Sequence, residues 1–485
     1  MPLGVLPPQL IMGDTSKGLI TNVNYRIAPQ NSVKHAVNVV FDEELGSAKV
    51  RKGCTILGSQ VVAENNTING LFYYQDSGTT NSQLVAAINI VGDATQSIHA
   101  YNGVSWSEVL TGDTAGLKTR FETFVNRVMR VNGTNAVKAW SGAGIWESGG
   151  GRLDLTNFPR GKFVKVYKDQ VVTAGVSTAL DTLYISSVPT SSTISWTSGN
   201  RTIRVNPEDG MGITGLGEIS NLLIVFKDRA MYRWNNRSIE ADIVTEVGCT
   251  SQESIAVGGE LMFFYNPRGV WMTNGGQPVL ISRRIKQWIE NVASSFFDDV
   301  SGYCDGEYYY CSLGDITIDG TAYTNIVARY TLGTQEWTVF SYANEFRVFS
   351  LYVSSGAEQI VGGDTTARVL QIESSSLTDN GTNISYEIDS QDFDFGSKGI
   401  LKQIGKKIMA YGLNPENVVV DVMIDGDKNK IYTLGHINKN IEQFIINQKL
   451  SGHFFNFRVR GVSSQNRHIF QGLEATGITL VDYQA

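Results

Sequence analysis

Leu216 to Asn236 reads LGEISNLLIVFKDRAMYRWNN. An apolar run (222–226) meets a polar turn, Lys227-Asp228-Arg229, and a second run ends on Tyr232 and Trp234. The next stretch repeats that order: residues 255–257 and 260–265, a turn at Asn266-Pro267-Arg268-Gly269, then Val270, Trp271 and Met272. Short apolar strands separated by Gly, Asn, Asp and Pro turns form antiparallel hairpins. Recurrence at a few tens of residues points to propeller blades rather than one sandwich. Alone, the repeat predicts a scaffold and no chemistry.

The same unit continues outward from this pair. Residues 70–74 with 84–90 and 98–101 make a first blade, 121–131 with 136–140 a second, and 163–174 with 183–185 a third. The two units above are the fourth and fifth, and residues 302–313 with 326–337 the sixth. A shorter piece, 349–372, completes the sixth or adds another. The expectation is an all-β chain with a propeller of six or seven blades over 61–376. After each polar turn a large aromatic recurs, and Trp106, Trp146, Trp234, Trp271 and Trp337 are read as structural, blade-closing residues. A flat ring there fills the wedge between neighbouring sheets, and full burial of one contributes about 1.5–3 kcal/mol.

The flanks read differently. Residues 1–60 give an extended, Pro-broken arm and a hairpin, with Val37, Val39 and Phe41 on one apolar face and Asn38, Val40 and Asp42 on the other. Seven short strands over 377–485 read as a β-sandwich-like domain. One short helix is expected, over 282–297, because Ile285, Trp288, Ile289, Val292 and Phe296 share a face. Arg283, Arg284 and Lys286 lie in its first turn, the unfavourable end of the helix dipole.

Composition bounds the function. With 485 residues, more than one core is needed. The formal charge of −7 argues against a dedicated nucleic-acid binder, which carries a basic stripe. No apolar stretch is long enough for a membrane-spanning helix, and the N-terminus lacks the basic region and apolar core of a secretory signal. Cys54, Cys249, Cys304 and Cys311 are scattered. A tight turn at Asp305-Gly306 would set Cys304 opposite Glu307, out of reach of Cys311, so free thiols and assembly inside a cell are expected.

The motifs with chemical meaning fail in context. Gly210-Met211-Gly212-Ile213-Thr214-Gly215 matches GxGxxG, but a polar turn precedes it and no helix follows to meet a pyrophosphate. Asp425-Gly426-Asp427-Lys428-Asn429 starts like a calcium loop, yet Lys430 and His436 occupy the positions that need Gly and Glu. The five histidines form no metal-ligand pair, and no GxSxG elbow or GxxxxGK[ST] loop occurs. No cofactor, metal or catalytic residue is expected. A carboxylate pair hidden among the many turn acids is the route by which a sugar-cleaving propeller would escape notice.

The order of segments resembles the tail nozzle proteins of short-tailed (podovirus-type) bacteriophages, the packaged-DNA-stabilisation family. The likeness lies in residues 209–217 with 222–226 and 230–234, and in Val247-Gly248-Cys249 with 254–265, 269–271 and 275–281 leading to 284–292. It continues in residues 306–313 with 326–337 and in 454–461 with 472–480. The resemblance implies a structural, non-enzymatic virion protein, assembled in the host cytoplasm as a homohexamer. Such a ring sits at the distal end of the viral tail beneath the adaptor or connector protein, beside tail fibre or tailspike proteins. Genomic DNA is retained by it after packaging and passes through it during ejection. Each phosphate neutralised by Lys or Arg adds affinity, so the acidic chain predicts a neutral or acidic lumen. The competing readings are a host-surface carbohydrate-binding or depolymerising propeller protein and a protein-interaction platform.

Overall fold

In the computed structural model, residues 2–481 are described except 25, 45, 64–65, 77–81, 91, 93, 148–152, 190–192, 239, 397–398, 428 and 448. Seven small antiparallel sheets follow one another along the chain. Blade 1 is Thr67–Tyr74, Gln83–Asn89, Thr95–Tyr101 and Trp106–Thr114; blade 2 is Arg120–Thr123, Val128–Val131 and Lys138–Trp140. Blade 3 is Phe163–Tyr167, Gln170–Ala174, Thr182–Ile185 and Arg201–Arg204, and blade 4 is Ile213–Ile219, Leu222–Lys227, Met231–Trp234 and Asp242–Thr245. Blade 5 comprises Ala256–Gly258, Leu261–Asn266, Gly269–Thr273 and Val279–Leu280; blade 6 comprises Ser301–Cys304, Tyr308–Ile318, Thr321–Thr331 and Glu336–Ser341. Blade 7 is Phe346–Ser354, Ala357–Asp364 and Val369–Gln371. The first strand of each blade packs beside the first strand of the next, and that of blade 7 beside that of blade 1. The ring is therefore closed: a seven-bladed β-propeller.

Local sequence sets the inner hairpins. Blades 2, 3 and 4 turn through Val125-Asn126, Lys168-Asp169 and Ser220-Asn221, every residue at φ between 48° and 60°. Two consecutive left-handed residues make the turn that matches strand twist, and Asn and Asp tolerate it. Neighbouring blades are stitched at these turns. Tyr74 donates to the Asn126 carbonyl at 2.7 Å, and Tyr167 to that of Asn221 at 2.6 Å.

Closure recruits the other end of the chain. Thr55–Ile56 forms the outermost strand of blade 7, with Ile56 opposite Leu370. The residues before it belong to a second domain of two sheets. One holds Ile441–Ile445, Leu401–Leu413, Ile469–Val481, Ala48–Val50 and Val39–Val40, with Pro2–Val5 and Gln9–Ile11 also on Ile469–Val481. The other orders Val33–Val37, Thr382–Ser390, Phe455–Ser463, Val418–Ile424 and Ile431–Ile437. Residues 1–60 are thus not a separate unit: the expected hairpin forms, Val39–Val40 against Ala48–Val50, but it and the described strands before it complete the sandwich, and Thr55–Ile56 completes the last blade. Nor is 33–41 one alternating strand. Asn38, at φ 61°, lets the chain cross between the sheets, and Val37, Val39, Val40 and Phe41 are all buried.

Two further expectations are corrected. The single helix becomes a 3-10 turn (Ser282–Ile285), one α-turn (Lys286–Glu290) and another 3-10 turn (Ser294–Asp299). Its apolar positions stay buried, but the connection must run from the outside of blade 5 to the inside of blade 6, which breaks a continuous helix. The hairpin after Cys304 is wider than a two-residue turn, so Cys304 faces Tyr309 rather than Glu307. All four cysteines are buried and free, and burial pushes the Cys249 and Cys311 thiols up to about 12.

One apolar core runs from inside the sandwich through Trp288 and Trp337 into blades 5 and 6, and buried arginines pin the junction around it. Arg51 is 0% exposed. Its Nε donates to Asn38 Oδ1 at 2.8 Å, Nη1 to Asp379 Oδ1 at 2.8 Å and the Lys52 carbonyl at 2.9 Å, and Nη2 to Asp379 Oδ2 at 2.6 Å and the Ser341 carbonyl at 2.9 Å. Every N–H of the guanidinium is thereby used. Arg329 of blade 6 likewise joins Asp42 at 2.8 Å and Glu373 at 3.0 Å.

Candidate functional site

A cavity of ≈580 Å³ occupies the propeller axis, lined by the first strand of every blade. Strands on this axis all run the same way, so their starts mark one mouth and their ends the other.

At the starting mouth the axis is closed by charge. Arg120 of blade 2 reaches Glu253, just before blade 5, at 2.7 Å. These blades stand opposite each other, so the bridge crosses the axis. Lys118 joins the same Glu253 at 3.5 Å and Asp299 at 3.0 Å. Arg347, at the start of blade 7, pairs with Asp299 and with Glu345, the latter at 2.8 Å, and lies 4.8 Å over the Phe296 ring. Burial pushes the Glu253 carboxyl up, but Arg120 and Lys118 outweigh it and hold the group below its usual range. The adjacent Gln252 seals a strand edge: its Oε1 accepts from the Leu216 amide at 2.6 Å and its Nε2 donates to the Leu216 carbonyl at 3.0 Å.

Towards the other mouth the cavity is a two-sided cup. Blades 2, 3 and 4 contribute Glu122, Lys165 and Glu218. Lys165 pairs with Glu122 at 3.0 Å. Glu122 is nevertheless raised, first by burial and further by Glu218, against the pull of Lys165. Glu218 is half-buried, and its carboxylate makes no ion pair or hydrogen bond among the described residues. The facing wall, from blades 1, 5, 6 and 7, is mainly apolar, with Tyr73, Val257, Tyr303 and Leu351 beside the polar Gln75 and Ser350. None of the charged residues here belongs to a sequence motif; they come from three consecutive blades and lie tens of residues apart in the chain.

The five tryptophans lie away from this axis, each against the preceding blade. Trp106 touches Tyr101 at 5.1 Å and donates to the Leu57 carbonyl beside blade 7. Trp146 stacks on Trp140 at 5.7 Å in the layer shared with blade 1. Trp234 meets Tyr167 of blade 3 at 5.9 Å, and Trp271 packs into the layer between blades 4 and 5. Trp337 is fully buried and donates to the Ile281 carbonyl at 3.0 Å. Gly210–Gly215 leads into the first strand of blade 4, and Asp425-Gly426 turns out of Val418–Ile424, with Lys428 outside the described residues. Among the described residues, no group of three or more His, Cys, Asp or Glu could hold a metal, and no helix is long and apolar enough to cross a membrane.

No family model and no curated protein matches the chain. Among solved structures it is similar to Sqt1 of Saccharomyces cerevisiae at 10% identity, over 66% of this chain and 98% of that one, with a TM-score of 0.40. It is also similar to YCF48 bound to D1 peptide at 9% identity, over 66% and 97%, with a TM-score of 0.41. These likenesses concern the fold alone, and the β-propeller itself rests on the closed ring of seven sheets.

Proposed function

We propose that the protein is a structural, non-enzymatic component of a homo-oligomeric assembly, a tail nozzle of a short-tailed bacteriophage. In that reading six copies form a ring under the adaptor, retain packaged DNA and let it pass during ejection. The observation that supports an assembly role is the exposure of aliphatic side chains on one sheet of the sandwich: Ile441 at 59% and Ile445 at 67% on its edge strand, and Leu10 at 63% two strands away. Exposed aliphatic side chains on a rigid block suit subunit contacts. The closed axis adds a constraint: with Arg120 and Glu253 bridged across it, no duplex threads a single chain, so a DNA channel would lie between copies. Native mass spectrometry of the full chain tests the role. Hexamers, six copies per tail in virions, and loss of hexamers in Ile441→Glu/Ile445→Glu are expected; a monomer at all concentrations overturns it.

The second reading, a carbohydrate-binding or depolymerising propeller protein, is favoured by two carboxylates in one cup. A glycosidase needs carboxyls about 5–10 Å apart with one free to act as acid, whereas Glu122 is tied to Lys165. Turnover of capsular polysaccharide that is lost in Glu218→Gln would establish it over the first.

A further inference from the structure

We propose that the open half of the axial cup binds a primary ammonium carried on an unbranched alkyl arm, independently of any role in assembly. Charge bookkeeping around the axis is uneven. At the closed mouth Lys118, Arg120 and Arg347 meet Glu253, Asp299 and Glu345, three against three. In the open half Lys165 alone faces Glu122 and Glu218. One carboxylate is therefore left over, half-buried, without an ion-pair partner among the described residues. A cation placed between the carboxylates would balance the cup.

The opposite wall specifies the rest of the ligand. Tyr73, Val257, Tyr303 and Leu351 offer a largely apolar surface on the blades opposite the acids, interrupted by Gln75 and Ser350. A bare metal ion would leave that wall wet, and an anion would meet the surplus carboxylate. An alkylammonium satisfies both sides: methylenes lie along the apolar wall and the ammonium turns to the carboxylates, the way lysine itself divides its stem and head. The chemistry is shared by a free aliphatic amine and by the lysine side chain of a partner protein.

Isothermal titration of the full chain with n-pentylamine, pentanoate and 1-pentanol tests this. Saturable one-to-one binding of pentylamine, weaker binding of pentanol and none of pentanoate are expected. Glu218→Gln should weaken pentylamine at least tenfold with an unchanged melting temperature. Lys165→Met, which removes the competing ammonium, should tighten it severalfold. Tighter binding of N-acetyl-lysine methylamide than of pentylamine would mark a partner's lysine as the source, and the reverse a free amine. Absence of saturable pentylamine binding, equal binding of the three probes, or wild-type affinity in Glu218→Gln would overturn the proposal.

Discussion

Arg51 and Glu218 are both partly or wholly withdrawn from water, yet their surroundings are opposite. At the junction between propeller and sandwich Arg51 spends every donor on Asn38, Asp379 and two carbonyls. In the axial cup the Glu218 carboxylate has neither ion pair nor hydrogen bond among the described residues. Ion pairs that hold a fold together tend to be complete, because an uncompensated buried charge is costly. A leftover charge beside a cavity contributes nothing to folding, and that is why the cup, rather than the junction, draws a ligand hypothesis.

Breaking the complete site should have the largest effect. Arg51→Met strands Asp379 in the core and should lower unfolding free energy by about 3–5 kcal/mol in denaturant titrations, with most of it regained in Arg51→Met/Asp379→Leu. His468 falls between the extremes: Tyr386 bonds its Nδ1 at 2.8 Å, its Nε2 has no partner, and burial lowers it to about 4. The unfolded chain takes up that proton near the ordinary value of about 6.5. Stability is therefore full above that pH and should fall by about 1 kcal/mol per unit as pH drops towards 4; His468→Gln should flatten this slope.

Opening the closed mouth is a smaller change. Arg120→Ala leaves Glu253 with Lys118 as its one ion-pair partner among the described residues and the Ser251 hydroxyl as a donor, and should lower stability by about 1–2 kcal/mol, with the Glu253 carboxyl moving back up in NMR titration. Glu218→Gln should shift stability by no more than about 0.5 kcal/mol. A large loss there would mean that Glu218 serves the fold after all, and the contrast with Arg51 would fail.

Much of the propeller was legible because its information is local. Apolar runs, Gly/Asn turns and trailing aromatics recur within each blade, and the inner hairpins need only Asn126, Asp169 or Asn221 in a left-handed conformation. The seventh blade was not separable from the sixth, since its outer strand, Thr55–Ile56, lies some three hundred residues before its partner. The same long range hid the sandwich's first strands and the crossing at Asn38. The cup was invisible for a related reason: Glu122, Lys165 and Glu218 are ordinary strand residues until the ring brings their blades together. The helix is shorter than its spacing implied, Lys286–Glu290 within 282–297, because apolar spacing reports a buried face while a route between two blades dictates the path.

The pairing of the chain's early strands with its latest ones governs how the protein can be made. Residues 55–56 leave the ribosome long before Val369–Gln371, and Pro2–Val5 long before Ile469–Val481. Throughout synthesis the early segment must wait with open strand edges, and neither domain can seal until its last strand emerges. A nonsense mutation that removes Ile469–Val481 would therefore leave Pro2–Val5, Ala48–Val50 and Leu401–Leu413 without their shared partner, an open sandwich attached to a closed propeller and a species for chaperones and proteases.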